Sequence, residues 1–142
     1  MDKTQDFSKK IAIVLRKDLE NWQALNTTAH ISAFLGNKIK DDFDSGEYFT
    51  TKDSKNHPRN SQYPIIVLAA NPGQLMGLME NVRQSGLLYH GFIQEMIETT
   101  NDNEIVEILK DKNDSEIEYL GIGIFGDNNK VKELTKKFSL WK

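Results

Sequence analysis

The sequence predicts a three-layer α/β/α sandwich around a small mixed, mostly parallel sheet of about four strands. Three observations carry that expectation. Four apolar, strand-like runs alternate with stretches of helical periodicity. Two of the runs, 10–15 and 64–70, are nearly continuous and β-branched, the pattern of strands covered on both faces. The 142 residues suit one domain, because a chain of about 150 residues buries roughly two-thirds of its unfolded surface. Residues 1–9 are expected to form an N-terminal tail. Residues 10–142 form the α/β domain, interrupted by a long loop at 38–62.

The first strand is Lys10 to Leu15. Trp22 to Leu35 follows as a helix with Trp22, Leu25, Ala29 and Ala33 on its apolar stripe, and Gly36-Asn37 supplies a stop. The 38–62 loop is crowded with Asp, Asn, Ser, Gly and Pro. It has room for a short edge strand near Tyr48 and is long enough to serve as a lid. Pro64 to Ala70 is the second strand, and Asn71-Pro72 caps a helix that Gly86 closes. Leu87 to Ile93 reads as the third strand, and a short helix capped by Asp102 runs to about Lys112. Ile117 to Phe125 is the fourth strand. A last helix opens at Asn128 or Asn129, with Val131, Leu134 and Phe138 inward.

Composition narrows the function classes. Without cysteine there is no disulfide framework, thiolate metal site or cysteine nucleophile. A net charge of -3 disfavours a protein that coats nucleic acid. No apolar run reaches the roughly 18 residues of a bilayer span, and the N-terminus lacks a signal-peptide core. A cytoplasmic protein is expected, with no cofactor and no metal site, since no histidine has a partner at ligand spacing.

Gly121-Ile122-Gly123-Ile124-Phe125-Gly126 spells the dinucleotide-binding pattern, but its first two glycines lie inside a strand. Too little chain follows to complete a βαβ unit, so the glycines are read as a place for close packing. Asn26, Thr27 and His30 share a second face of the first helix, where an amide, a hydroxyl and an imidazole converge. Glu95, Glu98, Thr99 and Thr100 follow the third strand, where α/β sheets gather functional side chains.

Several segments taken together resemble a known family. Ile11-Ala12-Ile13-Val14-Leu15-Arg16-Lys17-Asp18-Leu19, continued by Ala29-His30, is similar to the opening of type II peptidyl-tRNA hydrolases. Asn26-Thr27-Thr28-Ala29-His30, Pro64 to Leu68, and Tyr119 to Ile122 through Leu134-Thr135 resemble more closely the domain-of-unknown-function-two-thousand family, a divergent branch of that fold. The resemblance implies a peptidyl-tRNA hydrolase II-like sandwich with His30, Glu95 and Thr99 in the catalytic positions. The lysines at the start of the family helix are missing: here it reads Glu20-Asn21-Trp22-Gln23-Ala24-Leu25-Asn26. Their loss argues against tRNA, which is held largely by phosphate neutralisation.

The expected function is therefore the binding of a small molecule or peptide end in a pocket between the first helix and the turn after the third strand. Trp22, Asn26, Thr27 and Thr100 would contact the ligand beside His30, Glu95 and Thr99. Hydrolysis of an aminoacyl or peptidyl ester, and a non-catalytic homodimeric interaction module, are the alternatives.

Overall fold

The computed structural model describes residues 5–44 and 46–142. Residues 1–4 of the expected tail, and Ser45 of the 38–62 loop, lie outside the described residues. The elements in chain order are β1 (Lys9–Arg16), α1 (Asn21–Ile39), β2 (Tyr48–Thr50), β3 (Asn56–Pro58), β4 (Ile65–Ala70), α2 (Leu75–Ser85), β5 (Leu88–Ile93), α3 (Gln94–Glu98), α4 (Asp102–Leu109), β6 (Tyr119–Asp127), α5 (Asn128–Thr135) and β7 (Ser139–Leu140).

Strand β1 explains why both sheet faces need helices. Its alternation sends Ile11, Ile13 and Leu15 to one face and Ala12 and Val14 to the other, and all five are buried. On the first face, α1 covers them with Ile31 and Leu35. On the second, Leu75, Leu78, Met79 and Val82 of α2 and Val131 of α5 pack against Ala12, Val14, Ile122 and Ile124.

The main sheet has five strands, in the order β5-β6-β1-β4-β7. Among the described residues only β1 and β4 pair in parallel; β1–β6, β5–β6 and β4–β7 are antiparallel. The sheet is thus mixed, as expected, but it is not mostly parallel and it has one strand more than foreseen. Alternating strands and helices do not fix direction. A helical crossover returns β4 alongside β1, whereas the connection through α3 and α4 brings β6 back against β5 in the opposite sense. The two-residue β7 is too short to show a period.

Helix α1 departs from its sequence reading in two ways. It runs through Gly36 to Ile39, and the residue with positive φ that ends it is Lys40 (φ 56), whose N–H donates to the Gly36 carbonyl. It also buries Ala24, Thr27, Ile31 and Leu35, leaving the expected apolar stripe outside, with Trp22 54% and Leu25 72% exposed. The glycines of β6 set this orientation. A Cβ on Gly121 would lie 2.8 Å from Thr27 Cγ2, and one on Gly123 would lie 2.2 Å from Ile31 Cγ2. The helix therefore sinks onto a glycine groove, with Thr27 and Ile31 at its floor.

The 38–62 excursion is more structured than a loop. A 3-10 turn, Lys40–Phe43, leads to the separate β2–β3 hairpin. Gln62 closes its base, its N–H donating to the Phe43 carbonyl and its side-chain amide to the Asp42 carbonyl.

Candidate functional site

The cavity that gathers most of the chemistry lies where α1 meets the sheet edge. Strand β5 is an edge strand, and its alternation turns Leu88, His90 and Phe92 toward α1. From α1, His30, Ala33, Phe34 and Asn37 recur at helical spacing along the facing ridge. The two rows interlock. The rings of His30 and Phe92 stack with centroids 5.1 Å apart, and those of Phe34 and His90 at 4.3 Å, with interplanar angles of 18° and 19°.

Thr99, Thr100, Asn101 and Asp102 close one side of this cavity, and Met96 and Ile105 add apolar surface. The cavity has a volume of about 550 Å³, within the usual range for small-ligand sites, and it opens to solvent. Among the described residues, no protein group hydrogen-bonds the imidazole nitrogens of His30 or His90, and each ring is held by its stacking partner. Partial burial, with the neighbouring His30, pushes the His90 pKa below its ordinary value. A neutral imidazole both donates and accepts, so His90 offers both functions to the cavity.

The residues expected from sequence divide into two groups. His30, Thr99 and Thr100 line this cavity together. Trp22 and Asn26 do not. Trp22 lies two helical turns before His30, about 12 Å along the axis, and its indole N–H donates to Glu20 at 2.8 Å. Thr27 is fully buried against Gly121, and its hydroxyl has no partner. Glu95 is only 4% exposed and does not line the cavity. Its Oε1 accepts from Lys112 Nζ at 2.8 Å, and its Oε2 is buried without a partner. Among the described residues, the 38–62 segment contributes no lining residue to this cavity, where a lid had been expected.

Sequence reasoning overlooked His90, Phe92, Phe34 and Asn37. A usable signal was present. His90 and Phe92 are two apart in a strand, and His30, Phe34 and Asn37 are four and three apart in a helix. Each set shares a face. What hid the pairing was the search for histidines at metal-ligand spacing. Among the described residues no three His, Asp or Glu side chains gather as a metal site.

The opposite face of β5 holds a second cavity, of about 360 Å³. Its polar groups already satisfy one another. Arg83 forks onto Asp114 at 2.6 and 3.0 Å and also donates to the Tyr119 hydroxyl, which donates to Asp114 at 2.8 Å. The guanidinium holds the Asp114 carboxyl below the usual range, and burial, with Asp114, pushes the Tyr119 phenol up to about 12. This network fixes the 113–116 turn to α2 and leaves little for a ligand. At the carboxyl end of β1, Arg16 is likewise paired, with Asp18 at 2.7 Å.

The model of a family described as "Protein of unknown function (DUF2000)" matches residues 9–142, and the chain belongs to that family. A solved structure of the protein of unknown function Atu0240 from Agrobacterium tumefaciens strain C58 is similar, with a TM-score of 0.82 and 24% sequence identity. The match covers 95% of this chain and 98% of that one, and it shows a shared fold. No curated protein matches the chain. Among the described residues no helix is long and apolar enough to cross a membrane.

Proposed function

We propose that this DUF2000 protein is a small-molecule or peptide-end binder that uses the α1–β5 cavity, on a fold related to type II peptidyl-tRNA hydrolases. One observation carries the reading: two imidazoles, held by ring stacking and unused by any described protein group, face one cavity with the side chains of Asn37 and Thr100. Phe34, Phe92 and Met96 give a flat group an apolar wall, and the polar groups orient it. Asp102 is the one carboxylate in the lining and no Lys or Arg joins it, which favours a neutral or amine-bearing ligand over a phosphate.

The test is a thermal-shift screen of the purified protein against amines, short peptides and neutral heterocycles, with titration of each hit. A hit should lose about tenfold in affinity in His90→Ala and in Asn37→Ala, the loss expected for one hydrogen bond left unmade. Hits that bind both variants as well as the parent would sink the assignment.

Ester hydrolysis is the second reading, favoured by His30 and Thr99 bordering the same cavity. Glu95 supports it poorly, because its carboxylate is tied to Lys112 away from that space. Turnover of peptidyl-tRNA or an aminoacyl ester that His30→Ala abolishes would promote this reading over the first.

A further inference from the structure

We propose that residues 99–112, which carry α4, form a hinged lid over the α1–β5 cavity, and that Glu95 is the positioning residue that clasps both ends of the lid. The inference rests on the binding reading for its purpose and on separate observations for its mechanics.

Both ends of the segment are fastened to the same residue. The Glu95 carbonyl accepts from the Thr99 N–H at 3.1 Å and from the Thr99 hydroxyl at 2.7 Å. The Glu95 carboxylate accepts from Lys112 Nζ at 2.8 Å, a bond that raises the lysine pKa. Beyond Lys112 the chain is fixed again by the Arg83–Asp114 pair. Movement is thereby confined to the stretch between the two clasped ends.

Inside that stretch the bonds are local. Thr100 N–H and Asn101 Nδ2 donate to the Glu104 carboxylate, Glu104 N–H donates to Asn101 Oδ1, and Lys110 pairs with Glu107. Asn101, rather than the expected Asp102, is the cap. No residue of α4 is buried. Its apolar anchors are Ile105, which lines the α1–β5 cavity, and Leu109, which lines the cavity on the other face of β5. The helix straddles the sheet edge on two partly buried side chains. Eight residues are too few to stay helical alone, and segments with so little buried contact open at small cost. Opening would widen the mouth of the cavity at Thr100–Asp102; closing would set those groups against a ligand held at His30 and His90.

The test is hydrogen exchange read by mass spectrometry on the full, ligand-free chain. Amides of 103–110 should exchange at least about 100-fold faster than those of β1 and β6, the spread expected between a lid and a core. Lys112→Met should accelerate 99–112 by a further tenfold or so, the effect of losing one charge-assisted bond, and leave the separate β2–β3 hairpin, which opens without breaking that bond, unchanged. Lys112→Arg should restore the parent rates. If Lys112→Met fails to fold, Glu95→Gln serves, with a smaller acceleration confined to the same segment. Protection of α4 equal to that of β6 would overturn the lid. An acceleration that is uniform along the chain, or absent, would overturn the clasp. None of these readouts needs a ligand, so a failed ligand screen and a failed lid are separate results.

Discussion

Helices α1 and α4 border the same cavity from opposite sides, and both carry an apolar pattern at helical spacing, yet they are held very differently. Four residues of α1 are buried, and none of α4. The difference lies in the surfaces the two helices meet. α1 lies along β6, where Gly121 and Gly123 let it approach until Ile31 fills the space a side chain would take. α4 follows the edge strand in the chain, and only Ile105 and Leu109 of it are even half-buried. Burial is decided by where the topology sets a helix down, and this cavity is bordered by one buried helix and one exposed helix.

The contrast breaks most visibly at Ile31, which is fully buried. Ile31→Ala should cost about 2–5 kcal/mol in urea denaturation, the range for emptying a close-packed site. Val106→Ala in α4, where the side chain is 61% exposed, should stay within about 0.5 kcal/mol. Equal effects would refute the distinction between the helices. Gly123→Ala tests the same contact from the sheet side. Its new methyl would sit 2.2 Å from the β-branched Ile31, which cannot turn away, and a loss of about 1–3 kcal/mol is expected.

A smaller effect of opposite sign is expected at Thr27. Its hydroxyl is buried in the α1–β6 contact without a partner, so folding strips water from it and returns nothing. Thr27→Val keeps the shape and removes the polar atom. It should stabilise the protein by about 1 kcal/mol in the same denaturation assay. A loss of similar size would mean that the hydroxyl has a partner after all.

The limits of sequence reading follow from the same comparison. The strands of the core and the two-sided cover of β1 were legible because Ile11 to Leu15 leave no polar face. The face of α1 was not. Trp22, Leu25, Ala29 and Ala33 form a better apolar stripe by type than Ala24, Thr27, Ile31 and Leu35, and only the glycine groove reverses the choice. Similarly, the neighbourhood of His30 and Thr99–Thr100 was legible from element ends. Glu95 was not, because the lysine that claims it lies 17 residues away on the far side of α4. Pairings between elements carry no local signature, so the sequence could set His30 beside Thr99 and Thr100 but could not show that the Glu95 carboxylate turns away from them to Lys112.

The cavity adds a pH dependence. His90 is harder to protonate in the folded protein than in the unfolded chain, through burial and the facing His30, while Asp102 is the carboxylate across the cavity. Above the ordinary histidine pKa of 6.5 both states leave the ring neutral and stability is unaffected. As the pH falls below 6.5 toward the lower folded-state value, the unfolded chain takes up the proton first and stability declines. Urea midpoints at pH 7.5 and 5.5 should therefore differ less in His90→Gln than in the parent. An unchanged difference would assign the slope to other groups.

The smallest expected effect sharpens the contrast within α1 itself. Leu25 is the most typical core residue on the stripe that the sequence favours, and it is 72% exposed. Leu25→Gln keeps a helix-compatible side chain without β-branching and removes only apolar surface already in water. Its effect on the unfolding free energy should be within about 0.5 kcal/mol, against several for Ile31→Ala on the same helix. Both variants should be measured at two protein concentrations tenfold apart. If Leu25→Gln is neutral at the lower concentration and destabilising at the higher, the stripe is covered by a second copy of the chain, because only an associated state gains stability with concentration. If it is neutral at both, the stripe faces water, and the apolar periodicity of α1 points away from the core that holds the helix in place.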